Sequence, residues 1–471
     1  MAKKEAVGTK REFAIYLALV IGLGILLAFF LEDMAQTLAT TIFLAIVIGT
    51  LMFWQLRVAI AFIGIVLLLV AGTLDLPHAI EYMNMDVILF LVGMMVIIGL
   101  LRQSGFFRWL LVEILKVSRF KPRWLIIMVM VLASVMAAMV DEVTSILFIS
   151  ALVLDLCDYF GVNPVKYVIA VILATNIGSS WTVLGNPIGI LIALRSGLTF
   201  TDFIRSALPV GVVSLLLLIP VVLLWLRKDL ELLRKHISYK EEGSMADVLY
   251  EWAKVKDKGL FVGSIIIFAI VVILLAVDHR LELWLGLGAN TLLFATPILG
   301  AGIVMLWQRG HAQEYIQRDV DWWALVFFMF LFATAGTLKQ VGLTDDMANA
   351  MSRLSSGYSP NVLSVATLWL SGLLSAVVDN VVAVAGLIPV AQTLSAESGT
   401  SSLWWALLFG GCYGGNLTMV GSTANIVALG LLEKRAGHYS HHITLKQWIT
   451  IGFWAFLIPM IIATVALILY G

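Results

Sequence analysis

Charge is scarce in this chain. Only 13% of its 471 residues are Asp, Glu, Lys or Arg, and the thirty basic and thirty acidic residues cancel to a formal net charge of zero. Hydrophobic residues make up 61%, which places the chain far outside the composition of a soluble domain. A neutral balance gives no sign of nucleic acid as a partner. Cysteine is nearly absent: Cys157 and Cys412 cannot build a disulfide framework, match no metal-ligand spacing and read as small buried thiols. No nucleophile elbow, P-loop or H-E-x-x-H occurs, so an enzyme is not expected. His438, His441 and His442 imitate a metal string, but they stand in a short loop without neighbouring cysteines and read as a solvated turn. The scattered methionines and tryptophans read as packing and interface residues.

What the chain does have is long apolar runs, repeated from end to end. They can cross roughly 30 Å of hydrocarbon and lack the period-two alternation of a membrane barrel, so the expected fold is an all-α polytopic membrane protein. The first run, about residues 12–30, follows Lys3, Lys4, Lys10 and Arg11 like a secretion signal, but it is long and no small-residue cleavage site follows. It reads as a retained helix with a cytoplasmic N-terminus. Lys and Arg then collect between Arg102 and Arg123, through 227–258, from Arg309 to Arg318 and at Lys434 and Arg435, while 31–36 and 75–85 carry none. The positive-inside rule makes the first set cytoplasmic and the second external, and leaves the C-terminus external.

This orientation gives spans near 36–54, 57–76 and 81–103, then the mixed segment 104–121, read as a helix lying in the interface. Two apolar pieces, 124–140 and 143–160, meet at "VDEVT" and must start and end on the same side, which calls for a re-entrant hairpin with Asp141 at its tip. The span 167–195 is broken by "TNIGSSWTVLGNP", and 206–226 leads into a charged cytoplasmic linker, 227–258. The sequence of elements then repeats: spans near 259–277, 285–307 and 321–338, an amphipathic piece 341–357, a hairpin 361–398 meeting at "VVDNV", a broken span 403–431 containing "GCYGGNLTMVGSTAN", and a last span 447–469. A shift of 236 residues lays Gly178, Thr182 and Gly185 on Gly414, Thr418 and Gly421, and brings Asp141 within two residues of Asp379. The expected organisation is an N-terminal helix within 1–35 and two repeats, 36–226 and 259–471, running in opposite directions through the membrane. That amounts to about 11 transmembrane helices plus two hairpins, with the site near the bilayer midplane.

Unwound backbone in hydrocarbon survives only where protein or a water-filled cavity supplies hydrogen-bond partners, so the polar interruptions read as the lining of a binding site. Asn186 before Pro187 has the form of a helix start at mid-membrane. Asn176, Ser179, Ser180 and Thr182 on one side, and Asn416, Thr418, Ser422, Thr423 and Asn425 on the other, offer neutral oxygens that suit Na⁺ or a partly hydrated anion. Gly178, Gly185, Gly414, Gly415 and Gly421 let backbone approach the ligand. Asp141, Glu142, Asp379 and Asn380 form the hairpin tips. A carboxyl group at membrane depth marks an ion or proton path, and desolvation favours its protonated form unless a cation is bound. The acids also fit a purely structural role as helix caps.

The stretches "VDEVTSILFISALVLDLC", "TNIGSSWTVLGNP", "SAVVDNVVAVAGLIPV" and "GGCYGGNLTMVGSTANIVALGLLEKRAGH" resemble the ion transporter superfamily, in the branch of arsenite permeases, NhaD-type sodium–proton antiporters and the melanosomal P-protein, related to dicarboxylate carriers. The resemblance implies a homodimer in which a scaffold supports a mobile, elevator-like transport domain of hairpins and broken helices. It places the family's Asp-Asn tip pair on Asp141-Glu142 and Asp379-Asn380, and its loops on Asn176 to Gly189 and Gly414 to Asn425. Glu142 departs from the usual Asn, and Gly189 stands opposite Asn425, so the two ion sites are expected to differ. The Ser-Asn-Thr signatures of dicarboxylate carriers are missing, and no arginine sits in the loops to clamp a dianion. The expected function is secondary active transport of a small inorganic ion across the cytoplasmic membrane, coupled to H⁺ or Na⁺, with lipid as surroundings and no cofactor beyond a possible bound Na⁺. Arsenite efflux, sodium-coupled anion or carboxylate symport and an ion channel on the same fold are the alternatives.

Overall fold

The computed structural model describes residues 9–31, 33–118, 121–239, 254–288, 290–355, 360–435 and 444–470. The string of His438, His441 and His442 and the 240–253 part of the expected linker lie outside the described residues. Helices account for the fold, with no strand among the described residues. Nine of them are long and apolar enough to cross a membrane, and shorter apolar helices accompany them. The all-α, polytopic expectation therefore holds.

The chain opens with α1 (Lys10–Phe30), α2 (Met34–Met52), α3 (Arg57–Val70), α4 (Leu76–Tyr82) and α5 (Met85–Gln103). Side chains fix several starts: Thr9 and Glu12 form a capping box, and Asp33 and Asp75 cap α2 and α4. α6 (Phe106–Ser118) leads to the first hairpin, α7 (Pro122–Met139) and α8 (Glu142–Phe160). The first broken helix follows as α9 (Val165–Gly178) and α10 (Pro187–Ser196). α11 (Phe200–Trp225) closes the first half, and α12 (Arg227–Tyr239) follows it. The second half contains α13 (Lys258–Ala276), α14 (Asp278–Leu285), α15 (Thr291–Trp307), α16 (Trp322–Gln340) and α17 (Leu343–Ser355). Its hairpin is α18 (Pro360–Val377) and α19 (Asn380–Ser398), its broken helix is α20 (Ser402–Gly414) and α21 (Thr423–Arg435), and α22 (Leu445–Tyr470) comes last.

Three expected elements are drawn differently. The run expected as one span over 57–76 stops at Val70, where Gly72 takes φ +72° and Asp75 with Pro77 starts a separate short helix. The span expected over 285–307 begins only at Thr291, because Gly286 ends α14 in the left-handed conformation. The linker expected over 227–258 begins as a helix, α12, whose Leu230 and Leu233 are buried and whose Asp229 is tied to Lys166 and Tyr167 at 2.7 and 3.0 Å.

The hairpins and broken helices pack in matching pairs. α7 lies on α9 as α18 lies on α20, and α8 on α9 as α19 on α20. The second half of each broken helix crosses to the other repeat, α10 onto α19 and α21 onto α8, so the two repeats interlock. The approach inside each half is set by glycine. A Cβ on Gly178 would fall 2.2 Å from the Ser134 carbonyl oxygen, and one on Gly414 2.3 Å from that of Gly372. Such backbone-to-backbone contact is how helices associate where water gives no driving force. Gly178→Ala should lower the thermal midpoint of the detergent-solubilised protein by several degrees, an overpacking cost of about 1–3 kcal/mol. Gly302→Ala, inside α15 where nothing lies within 4 Å, should not lower it.

Around this unit stands a second group of helices: α2, α3, α5, α15 and α16 pack on one another, with α13 against α15 and α5. α1 is wholly unburied and α13 largely so, as befits helices facing lipid. Where α13 meets α14, Asp278 is buried and accepts a hydrogen bond from the His279 N–H at 2.6 Å. Burial first, and the Glu282 charge after it, push its carboxyl up to about 6. A raised carboxyl destabilises the fold once ionised, so stability is complete below the ordinary aspartate range and falls as pH rises through about 6. Asp278→Asn should remove this dependence, its melting temperature pulling ahead of the native protein's between about pH 4.5 and pH 7.

Candidate functional site

At the first hairpin tip the chain leaves α7 at Met139 and re-enters helix at Glu142. Asp141 caps α8, accepting from Thr144 N at 2.8 Å and Thr144 Oγ1 at 2.6 Å. Its φ of 154° lies in a region that favours glycine, a strain of the kind that gathers at functional sites. At the second tip Asp379 caps α19, accepting from Val381 N at 3.0 Å, and its other oxygen accepts from Thr423 Oγ1 at 2.6 Å. Both acids therefore do serve as caps, and Asp379 also ties its hairpin to the second broken helix. The tips touch through their second residues. Asn380 Nδ2 reaches both carboxylate oxygens of Glu142, at 3.3 and 3.4 Å, with both side chains buried.

The two loops repeat each other's construction. Thr182 Oγ1 donates to the carbonyl of Ala138, three residues before Asp141; Thr418 Oγ1 donates at 2.5 Å to that of Ala376, three residues before Asp379. These threonines, paired by the 236-residue shift, fasten each loop to its own hairpin. Asn176 joins the halves: its Nδ2 donates to Asn416 Oδ1 and Asn425 Oδ1, both at 2.9 Å. Asn425 in turn donates to the carbonyls of Gly415 and Thr418, at 2.7 and 2.9 Å, and Asn416 to that of Ala455, at 3.1 Å. Asn176 Oδ1 and the neighbouring Thr175 Oγ1 are buried without a partner, which leaves two open acceptors of the type a hard cation takes.

Asn186 caps α10, accepting from Gly189 N at 2.9 Å, and its Nδ2 lies 3.1 Å from Ser179 Oγ and from Cys412 Sγ. Ser179 donates to the Asn176 carbonyl at 3.0 Å, and Ser180 bridges the Ile177 carbonyl and the Tyr413 hydroxyl. Ser422 Oγ accepts from Ala424 N at 3.1 Å. Gly185 lies against the Ser179 carbonyl, and Gly415 against Gly421, leaving no room for a side chain at any of the three. The expected loop residues are thus gathered in one place, but the loops differ in access. Asn176 to Asn186 is buried throughout, whereas the second loop reaches the surface at Val420, 40% exposed. The C-terminal carbonyls of α9 and α20 and the N-termini of α10 and α21 meet around this centre, giving partial charges of both signs.

Two features escaped the sequence reading. Arg102 at the end of α5 is ion-paired with Asp319, which defines one face of the molecule, and Asp321 caps α16 beside it, accepting from Ala324 N at 3.1 Å. The charges of Arg102 and Asp321 act on Asp141, and that of Arg57, from the start of α3, acts on Asp379. Both tips therefore lie toward the Arg102–Asp319 face. On the opposite face a cleft of about 190 Å³ separates Tyr82, Phe332 and Lys339 from Leu191, Ala385 and Gln392. It is bridged at one side by Arg195, hydrogen-bonded to Asn84 and paired with Asp86 at 3.0 Å.

Interlocked hairpins and broken helices inside an apolar bundle define an integral membrane transporter, and the comparisons agree. The chain is 34% identical over 360 residues to an uncharacterized transporter of Mycobacterium tuberculosis, covering 75% of this chain and 79% of that one. It is 24% identical over 450 residues to the human P protein, covering 80% of this chain and 52% of that one. The crystal structure of the YdaH transporter of Alcanivorax borkumensis superposes with a TM-score of 0.54 at 17% identity, over 83% of this chain and 87% of the other, a likeness of fold. A family model described as citrate transporter matches residues 43–410, and the chain belongs to that family.

Proposed function

We propose that the protein is a secondary active transporter that moves a small ion across the cytoplasmic membrane, coupled to H⁺ or Na⁺. The observation that carries this reading is the meeting of Glu142 with Asn380 and of Asn176 with Asn416 and Asn425. These contacts bring two acidic tips and two unwound stretches into one buried centre. A carboxyl in the bundle whose hydrogen-bond partners are all neutral, amide and hydroxyl for Glu142, hydroxyl and backbone N–H for Asp141 and Asp379, needs a proton or a cation, so these three are the coupling groups. Asn176 Oδ1 and Thr175 Oγ1 would receive Na⁺ if Na⁺ is the coupling ion.

The mode of movement we infer is an elevator. The hairpin-bearing helices meet the surrounding group through apolar faces, Phe328 and Phe332 on α16 and Val384 to Ile388 on α19, and the Arg195–Asp86 pair at the rim of the cleft is the polar link that sliding would break. With the N-terminus cytoplasmic, the Arg102–Asp319 face is the inner one, and this conformation is inward-facing. A second copy of the chain would form the scaffold's partner in a homodimer. The family's description makes a small carboxylate such as citrate the first substrate to test; an inorganic anion, arsenite and Na⁺/H⁺ exchange follow. The purified protein in proteoliposomes should carry one of these solutes only when a pH or Na⁺ gradient is imposed. Uncoupled conduction at channel rates would overturn the reading.

A further inference from the structure

Arg57 is not among the coupling or binding groups just proposed, and its position is unfavourable for a cation on several counts. It begins α3, where the helix dipole repels positive charge. The residue is 5% exposed, and its Nε and Nη1 have no hydrogen-bond acceptor. The guanidinium rests on the Trp54 ring, 3.8 Å from its centroid, with the Phe327 ring of α16 at 5.3 Å. This aromatic bracket fixes the charge in place without neutralising it. A buried cation with two donors left unpaired is costly, which draws attention to the charges around it.

Two carboxylates act on Arg57 through space, those of Asp379 and Asp321, and they differ in one respect. Asp321 caps α16, in the same group of helices as α3, so its distance from Arg57 is fixed. Asp379 caps α19 and holds Thr423, in the group that carries both hairpins. Of the two attractions, only the one to Asp379 changes when the groups slide.

We infer that Arg57 is a fixed counter-charge on the scaffold that holds the second hairpin tip in the position seen here through Asp379. The inference rests on the elevator reading. Arg57 acts as a positioning residue: it contacts no transported ion and sets how readily the mobile group leaves this face. Cancelling the attraction frees that group to move toward the opposite face, opening the cleft lined by Ala385.

The test uses the full chain in proteoliposomes, with Cys157 and Cys412 replaced by Ser and Ala385→Cys as reporter. A membrane-impermeant maleimide is added from the cleft side. Arg57→Gln and Asp379→Asn should each raise the labelling rate, about tenfold, and together raise it no further. Arg57→Lys, which keeps the charge, should label close to the native rate, and Asp321→Asn, whose attraction to Arg57 does not change when the groups slide, should not raise it. Should Arg57→Gln not fold, Arg57→Met offers similar bulk to the aromatic bracket and the same comparison. Labelling raised by Asp379→Asn but unchanged by loss of the Arg57 charge would overturn the inference alone. So would effects that multiply, or Arg57→Lys behaving like Arg57→Gln. A reporter inert in every variant would remove the elevator reading, and this inference with it.

Discussion

Asp379→Asn is expected to abolish coupled flux, lowering it by about 100-fold or more in proteoliposomes while the purified protein keeps its native elution and melting behaviour. Asparagine can still cap α19 by accepting from Val381 N, so the helix start survives. The charge does not survive. A loss of about 100-fold corresponds to roughly 2.7 kcal/mol at the rate-limiting step, well within what one buried, functional carboxylate supplies. A structural cap alone predicts the opposite: flux intact and stability slightly changed. Undiminished coupled exchange in Asp379→Asn would remove this residue from the mechanism.

The second large effect is expected at Asn176. Its Nδ2 is the donor to both Asn416 Oδ1 and Asn425 Oδ1, so Asn176→Ala leaves two buried acceptors without that donor and removes the open Oδ1. Each stranded acceptor costs about 1–3 kcal/mol, and the two loops lose the link between them. The apparent affinity for the coupling ion should fall at least about tenfold, with a smaller change in maximal rate. Asn416→Ala should weaken binding less, because Asn176 then keeps Asn425 as its acceptor. Equal affinities for the coupling ion in the native protein and Asn176→Ala would show that the loops hold no ion between them.

Much of the fold was legible because membrane burial punishes irregular backbone so heavily that each interruption announces itself. Asn186-Pro187, the glycines at a shift of 236 and the acidic residues inside apolar runs marked the hairpins and broken helices within a few residues of where they lie. The cross-repeat contacts were not legible. That Glu142 meets Asn380, or that Asn176 reaches both Asn416 and Asn425, depends on two mirrored units interlocking, and no local spacing encodes it. Arg57 was hidden for a different reason. A single cation between two spans reads as an interfacial anchor, and only the packing of Trp54 and Phe327 shows that it is enclosed. That no arginine sits in the loops is plain from the sequence and says nothing of the surrounding helices. α12 was masked by its own charge: the run from Arg227 reads as a solvated linker although Leu230 and Leu233 lie on one helical face.

The most direct test of the whole account is to tether the two groups of helices and measure transport. Arg195 and Asp86 are paired across them at 3.0 Å. Replaced by cysteines in a chain without Cys157 and Cys412, they can be joined by a short bismaleimide that carries a cleavable disulfide. Coupled flux in proteoliposomes should stop when the bridge is formed and return when it is reduced. Flux that continues at its full rate with the bridge demonstrably in place would contradict a mobile site carried by two interlocked repeats.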